Sequence, residues 1–342
     1  MTLTAKSDKP RIGITLGDIN GIGPEVVIKA LHDNRIHSLI TPVVYGSTRC
    51  LSFYKKLLNL EDFSYSHVKG KGQFIPKVVN VINCWEDTLE ITPGKPSHET
   101  GRAALLSLKQ AAQDLKEGLL DALVTAPIDK STIHSTEFPF KGHTEFLAEY
   151  FGTSDYMMLM VSEKLRVGLV TEHIPVKEIP LMVTRERVSI KLMILEQTLQ
   201  RDFGISKPKI AILGLNPHAG DSGLIGQEEE SIIKPVISEM KNKNKLVYGP
   251  FAADGFFASG QYARFDGILA MYHDQGLIPF KTLAFESGVN FTAGLPVIRT
   301  SPDHGTGYSI AGKNQALEGS MRQAIYTATD IVKIRKEQLA EK

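Results

Sequence analysis

The chain carries ten histidines, and five of them fall where they could do chemistry: His143, His173, His218, His273 and His304. Three of the five share a pattern. His173 lies just past the apolar run VGLV, His218 follows IAILGL, and His273 follows GILAM. In open parallel α/β sheets, ligands bind beyond the carboxyl ends of strands. Three histidines at three strand ends can therefore converge in space although they are far apart in sequence. Three neutral imidazoles are a known ligand set for zinc or a similar divalent ion, with a fourth position left for substrate. A histidine after a strand is more often an ordinary loop residue, and these three lack a compact motif such as two histidines on one helical turn. His143 and His304 sit in the glycine-containing loops FKGHTEF and SPDHGTG.

The elements that must hold these residues are legible in outline. Arg11–Leu16 begins as a buried strand after a short polar tail, residues 1–10. TPVVYGS, residues 41–47, is a second strand, and residues 59–80 read as polar and irregular. From Ser97 to Gly118, Ala104, Leu105, Leu108, Ala111, Ala112 and Leu115 recur at helical spacing, and Gly118 can end the helix. LLDALVTAPIDK then reads as strand followed by loop, with Pro127 as the stop. Further strands are expected at Tyr156–Ser162, Val167–Val170, Lys209–Leu213 and Gly267–Met271. Further helices are expected at Ser189–Phe203, Gln227–Lys241 and Gly319–Lys342. Strands alternating with helices predict an α/β protein with a mostly parallel sheet covered on both faces. There is no internal repeat, low-complexity stretch or clear linker.

Composition excludes several function classes. The 342 residues suffice for two domains or one large α/β unit. A net charge of +1 offers no global field for nucleic acid or an anionic membrane, so an anionic ligand must be met by local cations. No basic stripe supports nucleic-acid binding. Cys50 and Cys84 show no metal or redox spacing and fit a reducing compartment. The opening MTLTAKSDKP has no apolar core of a secretory signal, and no run approaches the ~20 apolar residues of a membrane span. These features predict a cytoplasmic protein without a membrane partner.

The stretch TLGDINGIGPEVVIKAL, residues 15–31, is the obvious candidate for a nucleotide loop. Gly17, Gly21 and Gly23 give G-x-x-x-G-x-G, whereas the Rossmann fingerprint needs G-x-G-x-x-G, and no G-K-[ST] follows as in a P-loop. Amides at a helix starting near Pro24 could face an anion, but spacing favours a structural turn.

Five stretches together resemble the 4-hydroxythreonine-4-phosphate dehydrogenases of pyridoxal phosphate biosynthesis. They are GDINGIGPE (17–25), GHTEFLA (142–148), NPHAGDSGLIGQEE (216–229), YHDQGLIPFK (272–281) and GLPVIRTSPDHGTG (294–307). They cover nearly the whole chain in the right order. The family usually has Asp-Pro-Ala-Gly in the first stretch, where this chain has Asp-Ile-Asn-Gly. That stretch is also similar to the GDGIGPE opening of isopropylmalate and isocitrate dehydrogenases. DHGTGYSIAGK, residues 303–313, resembles their late loop, which meets the adenosine part of the cofactor. The resemblance implies the isocitrate/isopropylmalate dehydrogenase-like fold, not a Rossmann fold. It has two α/β/α subdomains with a cleft between them. The expected limits are residues 1–135 plus 295–342 for the first. Residues 136–294 form the second, with the dimer interface and most metal and substrate ligands.

Carried over residue by residue, the resemblance puts the metal ligands on His173, His218 and His273, the three that the strand ends select. It puts substrate contacts on His143, Thr144, Lys281, Asn290 and Arg299. Asp254, Asp274 and His143 are candidates for the catalytic acid or base, which the sequence does not rank. Asp303, His304, Gly305 and Thr306 are the cofactor-binding candidates, and Lys130 is a weaker candidate cation. The implied cofactors are NAD or NADP and one divalent ion, zinc, magnesium or cobalt. The implied assembly is a homodimer whose active site lies at the interface and draws metal ligands from both subunits.

The implied reaction oxidises a phosphorylated small molecule, 4-phosphohydroxy-L-threonine, at C3. Lys281 and Arg299 suit its phosphate and carboxylate, Arg299 as a fork, and Asn290 and Thr144 can hydrogen-bond it. A paralogous dehydrogenase of 4-phospho-D-erythronate or 4-phospho-D-threonate would share the fold and the histidines. A metal-dependent phosphohydrolase, from another class, would use three histidines and a phosphate pocket without any nicotinamide.

Overall fold

The computed structural model describes residues 9–86 and 88–341; most of the expected N-terminal tail lies outside them. Among the described residues the strands are β1 (Arg11–Thr15), β2 (Thr41–Gly46), β3 (Tyr65–His67), β4 (Val79–Asn83), β5 (Ala122–Thr125), β6 (Met157–Val161), β7 (Arg166–Leu169), β8 (Ile210–Leu213), β9 (Val247–Phe251), β10 (Gly267–Ala270), β11 (Val289–Ala293) and β12 (Arg299–Pro302). The chain divides into two compact units. One comprises Met1–Gly152 and Pro296–Lys333, the other Thr153–Leu295 and Ile334–Lys342.

In the first unit the strand order is β3-β4-β2-β1-β5-β12, every pair parallel. Every residue of β2 and β5 is buried, as expected of strands covered on both faces. The helix His98–Lys116 packs on β1, β2 and β5. Ser97 caps it by accepting from the Thr100 amide, and Gly118 at φ +72 follows its end. Each fully buried Leu or Ile here contributes roughly 1.5–3 kcal/mol of transfer free energy. Residues 59–80, expected to be irregular, hold β3 and the start of β4. Asn80 is buried there and donates to Pro42, Ile75 and Val78 carbonyls, a polar anchor that apolar periodicity does not reveal.

In the second unit the order is β11-β6-β7-β10-β8-β9. Strands β7, β10, β8 and β9 run parallel, but β6 is antiparallel to both β7 and β11. The cause is short-range. Only Ser162–Leu165 separates β6 from β7, closed by the Ser162 amide donating to the Leu165 carbonyl at 2.8 Å, and a parallel crossover needs far more chain. Met160, Leu165, Val167, Leu169, Ala211, Leu213, Ile268, Ala270, Leu277 and Phe280 share one core here.

Two helices start differently from expectation. The helix expected from Ser189 begins at Arg185, because Thr184 caps it through the Arg187 amide. The helix expected at Gln227–Lys241 opens as a π-helical turn, Glu229–Ile233, before the α-helix Lys234–Asn242. The unit boundaries also differ from the expected limits. The helix His143–Tyr150 stays with the first unit, anchored by ring contacts among Phe138, Phe140, Phe146 and Tyr150. The chain end joins the second unit, where Arg335 Nε lies 2.7 Å from buried Asp202. Among the described residues no helix is long and apolar enough to cross a membrane.

Candidate active site

In the second unit the expected metal ligands stand at the carboxyl edge of three adjacent strands, with β10 between β7 and β8. Beyond β7 and β10 the chain stays zipped: the Val170 amide donates to the Ala270 carbonyl at 2.9 Å, and Thr171 Oγ1 to the Met271 carbonyl at 2.8 Å. This brings His173 and His273 together, their ring centroids 5.6 Å apart. His273 opens the helix His273–Ala284. The helix can start there because Gly276 has no side chain: a Cβ would lie 2.8 Å from Leu169 and 2.9 Å from Val167. His273 Nδ1 and Asp274 Oδ1 are 2.8 Å apart. A ring that donates from Nδ1 to this carboxylate keeps the lone pair on Nε2, the arrangement that prepares a histidine for a metal. Asp274, a candidate base by sequence, thus has one oxygen engaged with His273.

His218 follows β8 in an unusual turn. His218, Ala219, Asp221 and Ser222 all have φ between 42° and 56°, and Gly220 has φ +80. Left-handed backbone costs about 1–2 kcal/mol per non-glycine residue, so the surroundings must hold the turn in place. The buried carboxylate of Glu229 does so. Its Oε1 accepts from the Leu215 and Asn216 amides, both at 2.7 Å, and its Oε2 accepts from Asn216 Nδ2 at 2.9 Å. Gly220 lies against the same carboxylate: a Cβ there would stand 2.6 Å from Glu229 Oε2. Gln275 ties the strand ends, accepting from the Met271 amide at 2.7 Å and donating to the Gly214 carbonyl at 2.6 Å. Sequence reasoning missed Glu229 and Gln275. Both sit inside the quoted motifs, yet they act on main-chain atoms, which residue type and spacing do not expose.

Among the described residues no three His, Cys, Asp or Glu side chains of one chain form a group that could hold a metal ion. The donor chemistry of His173, His218 and His273 still fits such an ion. They are imidazoles at three neighbouring strand ends, one of them oriented by a carboxylate. Asp254 is exposed in the first turn of the helix Ala253–Ala258. Asn290 is half-buried in β11, opposite Met160. Lys281 is half-buried, two helical turns beyond Asp274 on the same stripe.

In the first unit, Arg299 opens β12 beside β5 and is 3% exposed. Its Nε and Nη2 donate to Thr125 Oγ1 at 3.1 and 2.7 Å. Burial pulls its guanidinium down to about 10, which leaves it cationic at neutral pH, and the Glu145 charge opposes that shift. His143 and Thr144 begin the helix His143–Tyr150, behind Gly142. His143 Nε2 is enclosed and has no hydrogen-bond partner among the described residues. Burial first, and then the Arg299 charge, hold this imidazole well below its usual range, so it is neutral at pH 7. Lys130 is exposed, its Cε 3.9 Å from where a Gly142 Cβ would sit.

The glycine loop and the Asp303–Thr306 loop meet in this unit. The Ile22 amide donates to the Thr306 carbonyl at 2.8 Å, and the Gly21 amide to Asp18 at 3.0 Å. These amides are therefore spent inside the fold and do not form an open anion nest. Tyr308 donates its hydroxyl to Asp18 Oδ2 at 2.8 Å, and Glu25 Oε1 accepts from the Ala316 amide at 2.9 Å. Asp18 is fully buried and also accepts from Thr100 and Thr132. The Ile19-Asn20 departure has a structural use. Asn20 donates to Thr92 Oγ1 and the Lys95 carbonyl and accepts from the Thr92 amide, while the Ile19 carbonyl accepts from Tyr54.

Residues 38–328 match the family described as pyridoxal phosphate biosynthetic protein PdxA. The chain belongs to that family. A 4-hydroxythreonine-4-phosphate dehydrogenase of Bacteroides thetaiotaomicron is 50% identical over 337 residues, 98% of this chain and 92% of that protein. A protein of Oceanobacillus iheyensis, whose name proposes it as a D-threonate 4-phosphate dehydrogenase, is 39% identical over 95% of this chain and 98% of its own. The crystal structure of 4-hydroxythreonine-4-phosphate dehydrogenase from Klebsiella pneumoniae superposes with a TM-score of 0.82 at 35% identity, covering 96% of this chain and 99% of that one. Isocitrate dehydrogenase from Methylococcus capsulatus, 13% identical with a TM-score of 0.50 over 96% of this chain and 87% of that one, shares the fold alone. The fold expected from the two kindred motifs is thus the fold of this PdxA family member, and its curated relatives are named as dehydrogenases.

Proposed function

We propose that this protein oxidises 4-phosphohydroxy-L-threonine at C3 with NAD or NADP. The product, 2-amino-3-oxo-4-phosphohydroxybutanoate, then loses carbon dioxide to give 3-amino-2-oxopropyl phosphate. The single observation that carries the assignment of roles is His143, a neutral imidazole with an enclosed Nε2 that has no partner among the described residues, under the field of the buried Arg299 cation.

The nicotinamide supplies the hydride acceptor. A divalent ion, zinc, magnesium or cobalt, held by His173, His218 and His273, would supply positive charge that lowers the pKa of the substrate alcohol. The side chains do the rest. His143 takes the hydroxyl proton as C3 gives up hydride, leaving a ketone; its neutral form is the one a base needs. Arg299, pre-set by Thr125, offers a planar fork to the carboxylate, and Lys281 a point charge to the phosphate. Thr144 and Asn290 hydrogen-bond the substrate, and Asp254 and Asp274 are the other acid–base candidates. In the β-keto acid the C1–C2 bond breaks, its electron pair remains on C2, and a proton replaces carbon dioxide there. The Asp303–Thr306 loop, including His304 and Gly305, holds the cofactor's adenosine side.

A second copy of the chain completes the site. Among the described residues, one chain alone brings no three metal-ligating side chains together. The helix that starts at His273 also exposes apolar groups: Ile278 is 64% and Phe285, just past its end, 77% exposed. A homodimer formed over this stripe, working in the cytoplasm, accounts for both features. No nucleic-acid or membrane partner enters the proposal.

The relative named for D-threonate 4-phosphate supports a second substrate, 4-phospho-D-threonate, or its epimer 4-phospho-D-erythronate, in which a hydroxyl replaces the amine. A phosphohydrolase has no support among relatives named as dehydrogenases. Steady-state rates of nicotinamide reduction on the amino and hydroxy substrates decide between the first two. A kcat/KM at least tenfold higher on 4-phosphohydroxy-L-threonine is expected, and the reverse ratio would transfer the assignment to the sugar acid.

A further inference from the structure

We propose that Glu229 is a positioning residue that aims the His218 imidazole, by fixing the main chain that leads into the left-handed turn. The inference rests on the proposed role of His218 as a metal ligand. Three independent features of the fold converge on this carboxylate. It is fully buried and accepts three N–H donors from Leu215 and Asn216, the last two of the three residues that link the end of β8 to Pro217 and His218. Gly220, inside the turn, packs so closely on Glu229 Oε2 that no side chain fits between them. Glu229 opens the π-helical turn Glu229–Ile233, and Glu228 just before it also accepts from Asn216 Nδ2 at 2.8 Å, so consecutive carboxylates share one partner. A π-turn is a rare local geometry, found frequently at functional sites.

Size alone does not explain a glutamate here. A glutamine fills the same volume but brings two N–H groups where only acceptors are wanted. Turned to accept from the two amides, it aims its own donors at Asn216 Nδ2. If Asn216 flipped to accept them, its oxygen would face Glu228. Only a carboxylate satisfies all three donors with the turn as it stands. A ligand supported in this way is pre-aimed, and loss of such outer support typically costs 10–100-fold in metal affinity.

The test titrates the purified full-length protein, stripped of metal, with cobalt(II) alone, and follows the ligand-field absorption bands and the dissociation constant. Thermal unfolding of the metal-free protein is recorded beside it. Glu229→Gln is expected to raise the cobalt dissociation constant at least tenfold and to alter the band pattern. In a His218→Ala background the same change is expected to have no further effect on the constant. A merely structural role would lower the unfolding temperature but leave the cobalt constant and spectrum of the folded protein unchanged, and that result overturns the inference. If His218→Ala itself leaves cobalt binding unchanged, the metal assignment of His218 fails and the inference with it. If His218→Ala weakens binding and Glu229→Gln does not, the inference alone fails. Should Glu229→Gln not be recovered folded, Asn216→Ala, which removes one of the three donors, carries the same test with an expected weakening of at least threefold.

Discussion

His143 and Arg299 are set by their surroundings rather than by their own chemistry. Enclosure and the adjacent guanidinium keep the imidazole unprotonated, and Thr125 holds the guanidinium's direction. His143→Gln is expected to lower kcat by about 10²–10⁴, the usual yield of a positioned base, with a smaller change in KM; steady-state kinetics check the split. A second outcome concerns pH and stability. The folded imidazole binds its proton only well below the ordinary value near 6.5. As pH falls beneath about 6.5 the unfolded chain takes up a proton that the folded chain does not. The stability present above that pH is therefore lost progressively towards the depressed folded value. Denaturant unfolding across this range should show a shallower acid loss in His143→Gln than in the parent, and equal slopes would contradict the assignment.

At the scale of elements, the informative unit is the pairing of two distant loops. Asp18, Ile22 and Glu25 of the glycine loop hold Tyr308, Thr306 and Ala316 of the late loop. Tyr308→Phe removes a hydrogen bond to a buried carboxylate, worth about 1.5–3 kcal/mol. Lower stability in denaturant unfolding and a several-fold rise in the nicotinamide cofactor's KM are expected, with kcat little changed. An unaltered KM would separate the late loop from cofactor binding. Much of this layer was legible in sequence. The helix Ser97–Gly118 announced itself through apolar spacing and its glycine stop, and the histidines of β7 and β10 through the strands before them. The glycine loop read as a turn, and its amides are indeed used inside the fold. Less visible were β4, β9, β11 and β12, short strands without a clean alternation. The antiparallel turn of β6 follows from loop length. Glu229, Gln275 and Asp18 act through main-chain and buried polar partners, which only the folded chain supplies.

For the molecule as a whole, the two units each carry part of the expected residues. The second holds the three histidines with Asp254, Asp274, Lys281 and Asn290, and the first holds His143, Thr144, Arg299 and the late loop. The stripe of exposed Asp274, Ile278 and Phe285 with half-buried Lys281 mixes apolar groups with candidate site residues, as expected of a face completed by a second copy. Phe285→Glu places a charge in that stripe. Sedimentation velocity should then show a monomer in place of a dimer, with cobalt binding weakened because ligands of the partner are lost. A dimer that persists with unchanged metal affinity would move the interface elsewhere.

The proposed activity is metal-assisted dehydrogenation of a phosphorylated hydroxy amino acid. The most direct measurement follows nicotinamide absorbance with 4-phosphohydroxy-L-threonine, before and after complete, verified metal removal and after its restoration. Reduction of NAD or NADP is expected, with its loss on removal and its return with zinc, magnesium or cobalt. Absence of nicotinamide reduction with every divalent ion supplied, or full activity without any metal, would contradict it.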